Sequence, residues 1–192
     1  GALDRLGFDA AARRRINPAL VYCAISGFGA DSAYPGRPAF DTVIQAMAGI
    51  MDSIRVDGVP QKTGISFADI LGGLFALVAT LGALVTRQRS GTGDAIDIAM
   101  QDAAAWITQW RGAGIDVARD AYVIRCADGH VVAGRAAGVE RHAHDARSTM
   151  RDALVERLTA AGIAAAPVSS VAEAAGSGQA RSRGLLAQAA DS

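Results

Sequence analysis

With 192 residues the chain is long enough for one sizeable domain or two small ones, and a composition 51% hydrophobic and 20% charged excludes general disorder. The 19 basic residues balance the 19 acidic ones, so no whole-chain field points to nucleic acid or to an anionic membrane. Cys23 and Cys126 are the only cysteines. Their separation suggests neither a disulfide framework nor a CxxC metal site, and a reduced, cytoplasmic setting is expected.

The opening residues, Gly1 to Leu6, carry no signal-peptide pattern and no initiating Met, and are expected to continue a longer chain. Residues 2–15 read as one short helix, closed by Arg13-Arg14-Arg15 at its negative dipole end and broken at Asn17-Pro18. Leu20 to Ile25 is an unbroken apolar run between turn formers, the pattern of a strand buried on both faces in a parallel or mixed sheet. Ser26-Gly-Phe-Gly29 follows it, without the third glycine of a dinucleotide fingerprint. The loop from Ala30 to Pro38 then lies where α/β proteins place ligands.

Phe40, Val43, Ile44, Met47 and Met51 give a helix with one core face, and 52–62 is polar and turn-forming. A long apolar helix follows, stopped by the arginines and glycines of 87–93. Its 17-residue run without charge, 70–86, is at the low edge for a membrane span and holds glycines and threonines, so a buried central helix is expected. Ala95 to Met100 reads as a strand leading into a helix from Gln101 to Trp110, with Trp106 and Trp110 one turn apart for packing. A loop over 112–120 leads to a hairpin at 122–133, turned at Asp128-Gly129. His142 and His144 do not share a helix face and no further ligand completes a set, so no metal is expected. A helix from Arg151 to Ala161, an extended segment to Val168, a short helix from Val171 and a polar tail from Ser177 finish the chain.

One acidic residue, Asp69, stands at the head of the long apolar helix. It can cap the helix, accepting orphan backbone N–H groups at the positive dipole end. It can also serve as a nucleophile or proton-transfer group held beside an apolar pocket.

Several phrases occur in one order: Gly1-Ala-Leu-Asp-Arg-Leu-Gly-Phe8, Asn17-Pro-Ala-Leu-Val-Tyr22, Ile25-Ser-Gly-Phe-Gly29 and Tyr34-Pro-Gly-Arg-Pro-Ala-Phe-Asp41. They continue with Gln45-Ala-Met-Ala-Gly49, Gly64-x4-Asp69-x3-Gly73, Arg89-Ser-Gly-Thr-Gly93, Ile96-Asp-Ile-Ala-Met-Gln-Asp-Ala103 and Gly162-Ile-Ala-Ala-Ala-Pro-Val168. Together they resemble the family III CoA-transferases, also called the CaiB/BaiF family.

The resemblance implies an α/β fold: a Rossmann-like large domain, present here in part, with a small hairpin-containing region, in a family whose members form interlocked dimers. It places the large-domain segment at 1–111, a shortened small-domain region at 112–148 and a return to the large domain at 149–192. It makes Asp69 the nucleophile that takes coenzyme A from an acyl-CoA thioester, through an aspartyl-CoA intermediate, to a small carboxylic acid. It carries CoA contacts onto Arg5 and onto Arg37, Pro38, Ala39, Phe40 and Asp41. Gly72 and Gly73 would admit a ligand or a neighbouring backbone. A homodimer, or a partner chain supplying the family's N-terminal half, is implied, with no nucleic acid and no membrane. The related α-methylacyl-CoA racemases use a His-Asp phrase where this chain has Phe40-Asp41, and phenylalanine takes no proton. Racemisation, or a non-catalytic subunit or fragment of a CoA-transferase, is the alternative.

Overall fold

A computed structural model describes residues 2–114 and 121–184, so residues 115–120 of the expected loop and 185–192 of the tail lie outside it. The chain divides into two units, Gly1–Ile115 and Asp116–Ser192.

In the first unit the single helix expected over 2–15 is two: α1 (Ala2–Arg5) and α2 (Ala10–Ile16). Gly7 turns the chain with a φ of 80°, and the Asp9 side chain accepts the Ala12 N–H at 2.7 Å, so a cap starts a second helix. Strand β1 (Tyr22–Ser26) follows. The next expected helix also breaks, at Gly49 with a φ of 80°, into α3 (Asp41–Met47) and α4 (Ile50–Ser53). The polar stretch after it forms a small hairpin, β2 (Arg55–Val56) and β3 (Val59–Pro60), on a two-residue turn with positive φ at Asp57 and Gly58.

Helix α5 (Phe67–Ser90) runs 24 residues and ends on Gly91 in the left-handed region, φ 72°. Strand β4 (Ala95–Ala99) returns parallel to β1, Tyr22 opposite Ala95 and Ser26 opposite Ala99, and leads directly into α6 (Met100–Gly112). Ile44, Ile50, Ala68, Met100 and Ala104 form the buried core between α3, α4, α5 and α6.

Two burial expectations are corrected here. Helix α5 is not enclosed: Ala68, Gly72, Ala76 and Ala83 make a narrow buried stripe, while Leu74, Leu77, Val78, Leu81 and Val85 are all more than half exposed. Likewise β1 is half-buried at Tyr22 to Ala24 and Ile25 is 51% exposed. The cause is the same in both places. Among the described residues of this unit, a sheet of two strands and one neighbouring helix layer cover one side of α5 and leave the other exposed. Trp106 packs edge-to-face on Phe75, ring centroids 5.8 Å apart, as expected, although Trp106 and Trp110 are both more than half exposed. By length and composition alone α5 could cross a membrane, with a mean hydropathy of 2.0 in its most apolar window.

In the second unit β5 (Ala121–Cys126) and β6 (Gly129–Gly134) form the expected hairpin. A short helix, α7 (Val139–His142), and a 3-10 turn at Ala146–Ser148 lead to α8 (Arg151–Ala160). Strand β7 (Ala165–Pro167) then adds to β6 antiparallel, Val131 opposite Pro167 and Ala133 opposite Ala165. Two short helices follow, α9 (Val171–Ala175) and α10 (Gly178–Arg183). Within this unit β7 and α8 pack on the hairpin, because β6 has an edge to pair and Leu154 and Leu158 of α8 need the apolar face of Val131 and Ala133. Each fully buried side chain of that size contributes about 1.5–3 kcal/mol.

An exposed ionic cluster ties α8 to α9. The Arg151 backbone N–H donates to Asp128 Oδ1 at 2.8 Å, and its guanidinium donates to Glu173 Oε1 and the Val168 carbonyl, both at 2.9 Å. The Arg151 guanidinium, with the Ser170 N–H of the α9 capping box, holds the Glu173 carboxyl down from 4.5 to about 2. A carboxyl depressed in the folded state stabilises the fold above its unfolded pKa and loses that contribution as pH falls through the folded value. The denaturation midpoint of the protein is therefore expected to exceed that of Glu173→Gln at neutral pH, and the gap to close between about pH 4.5 and about pH 2. Denaturant titrations of both proteins across that range check this; a gap that stays constant with pH would contradict it.

Candidate functional site

The parallel pairing of β1 and β4 brings their carboxyl ends together, and open α/β sheets bind ligands beyond such ends. Ser26-Gly-Phe-Gly29 leaves β1 there as a tight turn, the Gly29 N–H donating to Ser26 Oγ at 2.9 Å with Gly29 at a φ of 84°. Asp97 of β4 fixes the next residue, its Oδ2 accepting the Ala30 N–H at 2.7 Å. The Gln101 N–H, at the start of α6, donates to the Gly27 carbonyl at 3.0 Å.

The loop carrying Arg37 to Phe40 folds directly over this turn. A Cβ on Gly27 would stand 2.3 Å from the Ala39 Cβ, so only glycine allows the approach. The Phe28 and Tyr34 rings meet at a tilt of 52° with centroids 5.0 Å apart, and the Arg37 guanidinium lies over both, 5.9 and 5.1 Å from their centroids. Arg37 is thus held beside the turn while remaining exposed to an anion. Pro38 and Phe40 are exposed, Phe40 at 63%, and Ala39 is half-buried.

Helix α5 brings Asp69 to the same strand ends. One turn after Asp69, Gly72 packs against the sheet: a Cβ there would meet Met100 Cγ at 3.1 Å and Ile25 Cγ2 at 3.6 Å. Gly73 faces open space. Of the two glycines, only the first is required by packing. Asp69 itself is exposed in the first turn of α5, and its carboxylate makes no hydrogen bond or ion pair among the described residues.

Asp41 does the capping instead. It is 5% exposed, its Oδ1 accepts the Ala68 N–H at 3.0 Å and its Oδ2 accepts Gln45 Nε2 at 2.7 Å. Lys62 Nζ stands 3.4 Å from Oδ2. Both oxygens of a residue expected to touch CoA are therefore occupied inside the protein. The buried Gln45 also donates to the Ile65 carbonyl at 3.0 Å and accepts from the Thr63 N–H and hydroxyl at 3.1 and 3.2 Å. Sequence reasoning missed Gln45 and Thr63. The available signal was the i, i+4 spacing of Asp41 and Gln45, two polar groups on the core face of an otherwise apolar helix.

Arg5 is exposed on α1, and no described contact joins it to Arg37–Asp41. The next helix, α2, reaches the amino ends of the strands, where the Arg13 guanidinium sits 3.9 Å over the Tyr22 ring. A cavity of about 310 Å3 opens at that end, beside Asn17, Tyr22 and Asp94. A groove of about 280 Å3 lies at the carboxyl end, between Phe75 of α5, Asp97 and Ala99 of β4, and Asp102 and Trp106 of α6.

Comparison with known proteins identifies the family and the fold. The model of CoA-transferase family III matches residues 1–146. An acetyl-CoA:oxalate CoA-transferase of Acetobacter aceti is 42% identical over 104 residues, covering 53% of this chain and 27% of the relative. A succinate–glutarate CoA-transferase of Agrobacterium fabrum is 39% identical over 101 residues, covering 52% and 25%. The matched stretch thus spans about a quarter of these relatives. A CaiB/BaiF family protein from Brucella suis superposes with a TM-score of 0.82 at 27% identity, over 96% of this chain and 62% of the other. A Mycobacterium tuberculosis protein, Rv3272, shares the fold with a TM-score of 0.83 at 20% identity, over 96% and 62%.

Proposed function

The chain belongs to CoA-transferase family III, and from that premise we propose that it moves coenzyme A from an acyl-CoA to a small carboxylic acid with Asp69 as the nucleophile. The observation that carries the reading is the Asp69 carboxylate: exposed, unengaged among the described residues, and set in the first turn of a helix at the carboxyl ends of two parallel strands. The names of the relatives, acetyl-CoA:oxalate and succinate–glutarate CoA-transferase, support the substrate class.

The chemistry runs in four substitutions at acyl carbon. An Asp69 oxygen attacks the thioester carbonyl, the C–S bond breaks, and a mixed anhydride and CoA thiolate result. The thiolate attacks the aspartyl carbonyl, the anhydride C–O bond breaks, and the donor acid leaves as its carboxylate from an aspartyl-CoA thioester. The acceptor carboxylate attacks that thioester, releasing the thiolate again. The thiolate then attacks the acceptor's carbonyl and frees Asp69. A carboxylate suits both directions because it is nucleophile and leaving group alike, and the helix N-terminus favours negative charge developing beside it. Arg37 would bind an anionic part of CoA through its several donors, with Phe40 as an apolar wall. Arg5 would meet a phosphate at the adenosine end. A second copy, or a partner chain, would cover the exposed apolar face of α5.

Incubating the protein with acetyl-CoA and then hydroxylamine tests this, because an anhydride or thioester on Asp69 becomes a stable hydroxamate. Peptide mass spectrometry is expected to find the hydroxamate on Asp69, and none in Asp69→Ala. A protein that acquires no Asp69-dependent hydroxamate with acetyl-, formyl- or succinyl-CoA overturns the reading.

A further inference from the structure

We propose that Asp41 is a positioning residue for Asp69: from α3 it holds the start of α5, so that the nucleophile need not cap its own helix. The proposal rests on the reading of Asp69 as nucleophile. A helix usually takes its cap from the residue just before it, but Ser66, in that place, makes no side-chain cap bond. The orphan N–H of Ala68 is taken instead by Asp41, 27 residues earlier in the chain. Ala68 is bonded directly to Asp69, so whatever fixes the one fixes the other.

The hold is wider than one bond. Gln45, fully buried, carries it back along the chain: its amide nitrogen bridges Asp41 Oδ2 and the Ile65 carbonyl, and its amide oxygen takes both donors of Thr63. Lys62 supplies the charge that accompanies a buried carboxylate. Residues 62–68 are thereby tied to α3 at four positions before the chain reaches Asp69. Were Asp69 to cap, its carboxylate would turn back onto backbone N–H groups and be lost as a nucleophile. Displacing a reacting group by about 1 Å costs about 100-fold in rate, so the tie acts on the chemical step. A CoA contact would act differently, through binding.

Two measurements on Asp41→Ala and Asp41→Asn separate these roles. The first is amide hydrogen exchange, which needs no reaction. In Asp41→Ala the Ala68 amide is expected to exchange at least about 10-fold faster, with amides near Ala83 unchanged. Asp41→Asn keeps an oxygen facing Ala68 but sets an NH2 group against Gln45 Nε2, and is expected to fall between the two. The second is the rate of hydroxamate formation on Asp69 with acetyl-CoA: kcat is expected to fall about 10- to 100-fold in Asp41→Ala while KM stays within about 2-fold. If Asp41→Ala does not fold, Asp41→Asn carries both measurements. Unchanged Ala68 exchange in a protein that forms the adduct overturns the proposal, as does a raised KM at unchanged kcat. A wild-type protein that forms no adduct while Ala68 exchange still responds to Asp41 overturns the nucleophile reading instead, and with it the catalytic purpose of the tie.

Discussion

Asp69→Asn is expected to lower CoA transfer on the order of 10^6-fold, the scale seen when a covalent nucleophile is removed. The substitution keeps side-chain size and its place in the first turn of α5, and Asp69 holds no described partner that folding would miss. What it loses is the negative charge that drives the attack: a neutral amide oxygen is too weak a nucleophile to displace the thiolate and form the acyl adduct. The cost to stability is limited to the charge–dipole interaction at the helix start, about 0.3–1 kcal/mol. Steady-state transfer from acetyl-CoA to oxalate, read beside thermal unfolding, checks both halves. Asp69→Ala accompanies it, since slow hydrolysis of an asparagine would restore the native residue. More than about a tenth of wild-type turnover in both variants would remove Asp69 from the reaction.

Elements with strong periodicity or unbroken apolar runs were legible in the sequence: β1, β4, α5, the β5–β6 hairpin and α8 lie where hydrophobic pattern and turn residues place them. The family was legible too, because its phrases are collinear. Burial was not. The 70–86 run looks the same whether a helix is enclosed or lies against one layer, and only the neighbours decide; here they fully bury only Ala68, Gly72, Ala76 and Ala83 of α5. Cap chemistry was legible in principle and missed in practice at Asp9, where a side-chain oxygen restarts a helix after Gly7. At the site, pattern pointed to Asp69 but could not say which carboxylate caps α5, since Asp41 reaches it across the fold. The pairing of β7 with β6 was invisible for the same reason, being settled by an unpaired edge remote in sequence.

The same small change, glycine to alanine, is expected to act with opposite signs at Gly93 and Gly82. Gly93 crosses the chain just ahead of β1: its N–H donates to the Pro18 carbonyl at 2.8 Å, and a Cβ on it would stand 1.9 Å from the Leu20 carbonyl oxygen and 2.3 Å from the Leu20 carbonyl carbon. Those are backbone atoms and cannot swing aside as a side chain would. Room for a methyl would have to come from separating the two segments, which are tied again where Tyr22 N–H donates to the Asp94 carbonyl at 2.8 Å and Arg87 to the Ala19 carbonyl at 3.2 Å. The first rung of the β1–β4 pair, Tyr22 opposite Ala95, follows immediately and would be displaced. A loss of about 3 kcal/mol is expected, at the upper end of overpacking costs. Gly82 is exposed in the middle of α5, and a methyl on it would meet nothing within 4 Å, so alanine there gains helix propensity, about 0.5–1 kcal/mol. Denaturant midpoints of the two variants should move to opposite sides of the wild-type value. Equal shifts would mean that the close crossing at Gly93 does not hold in solution, and the parallel pair that brings Arg37 and Asp69 to one end of the sheet would lose its anchor at the other.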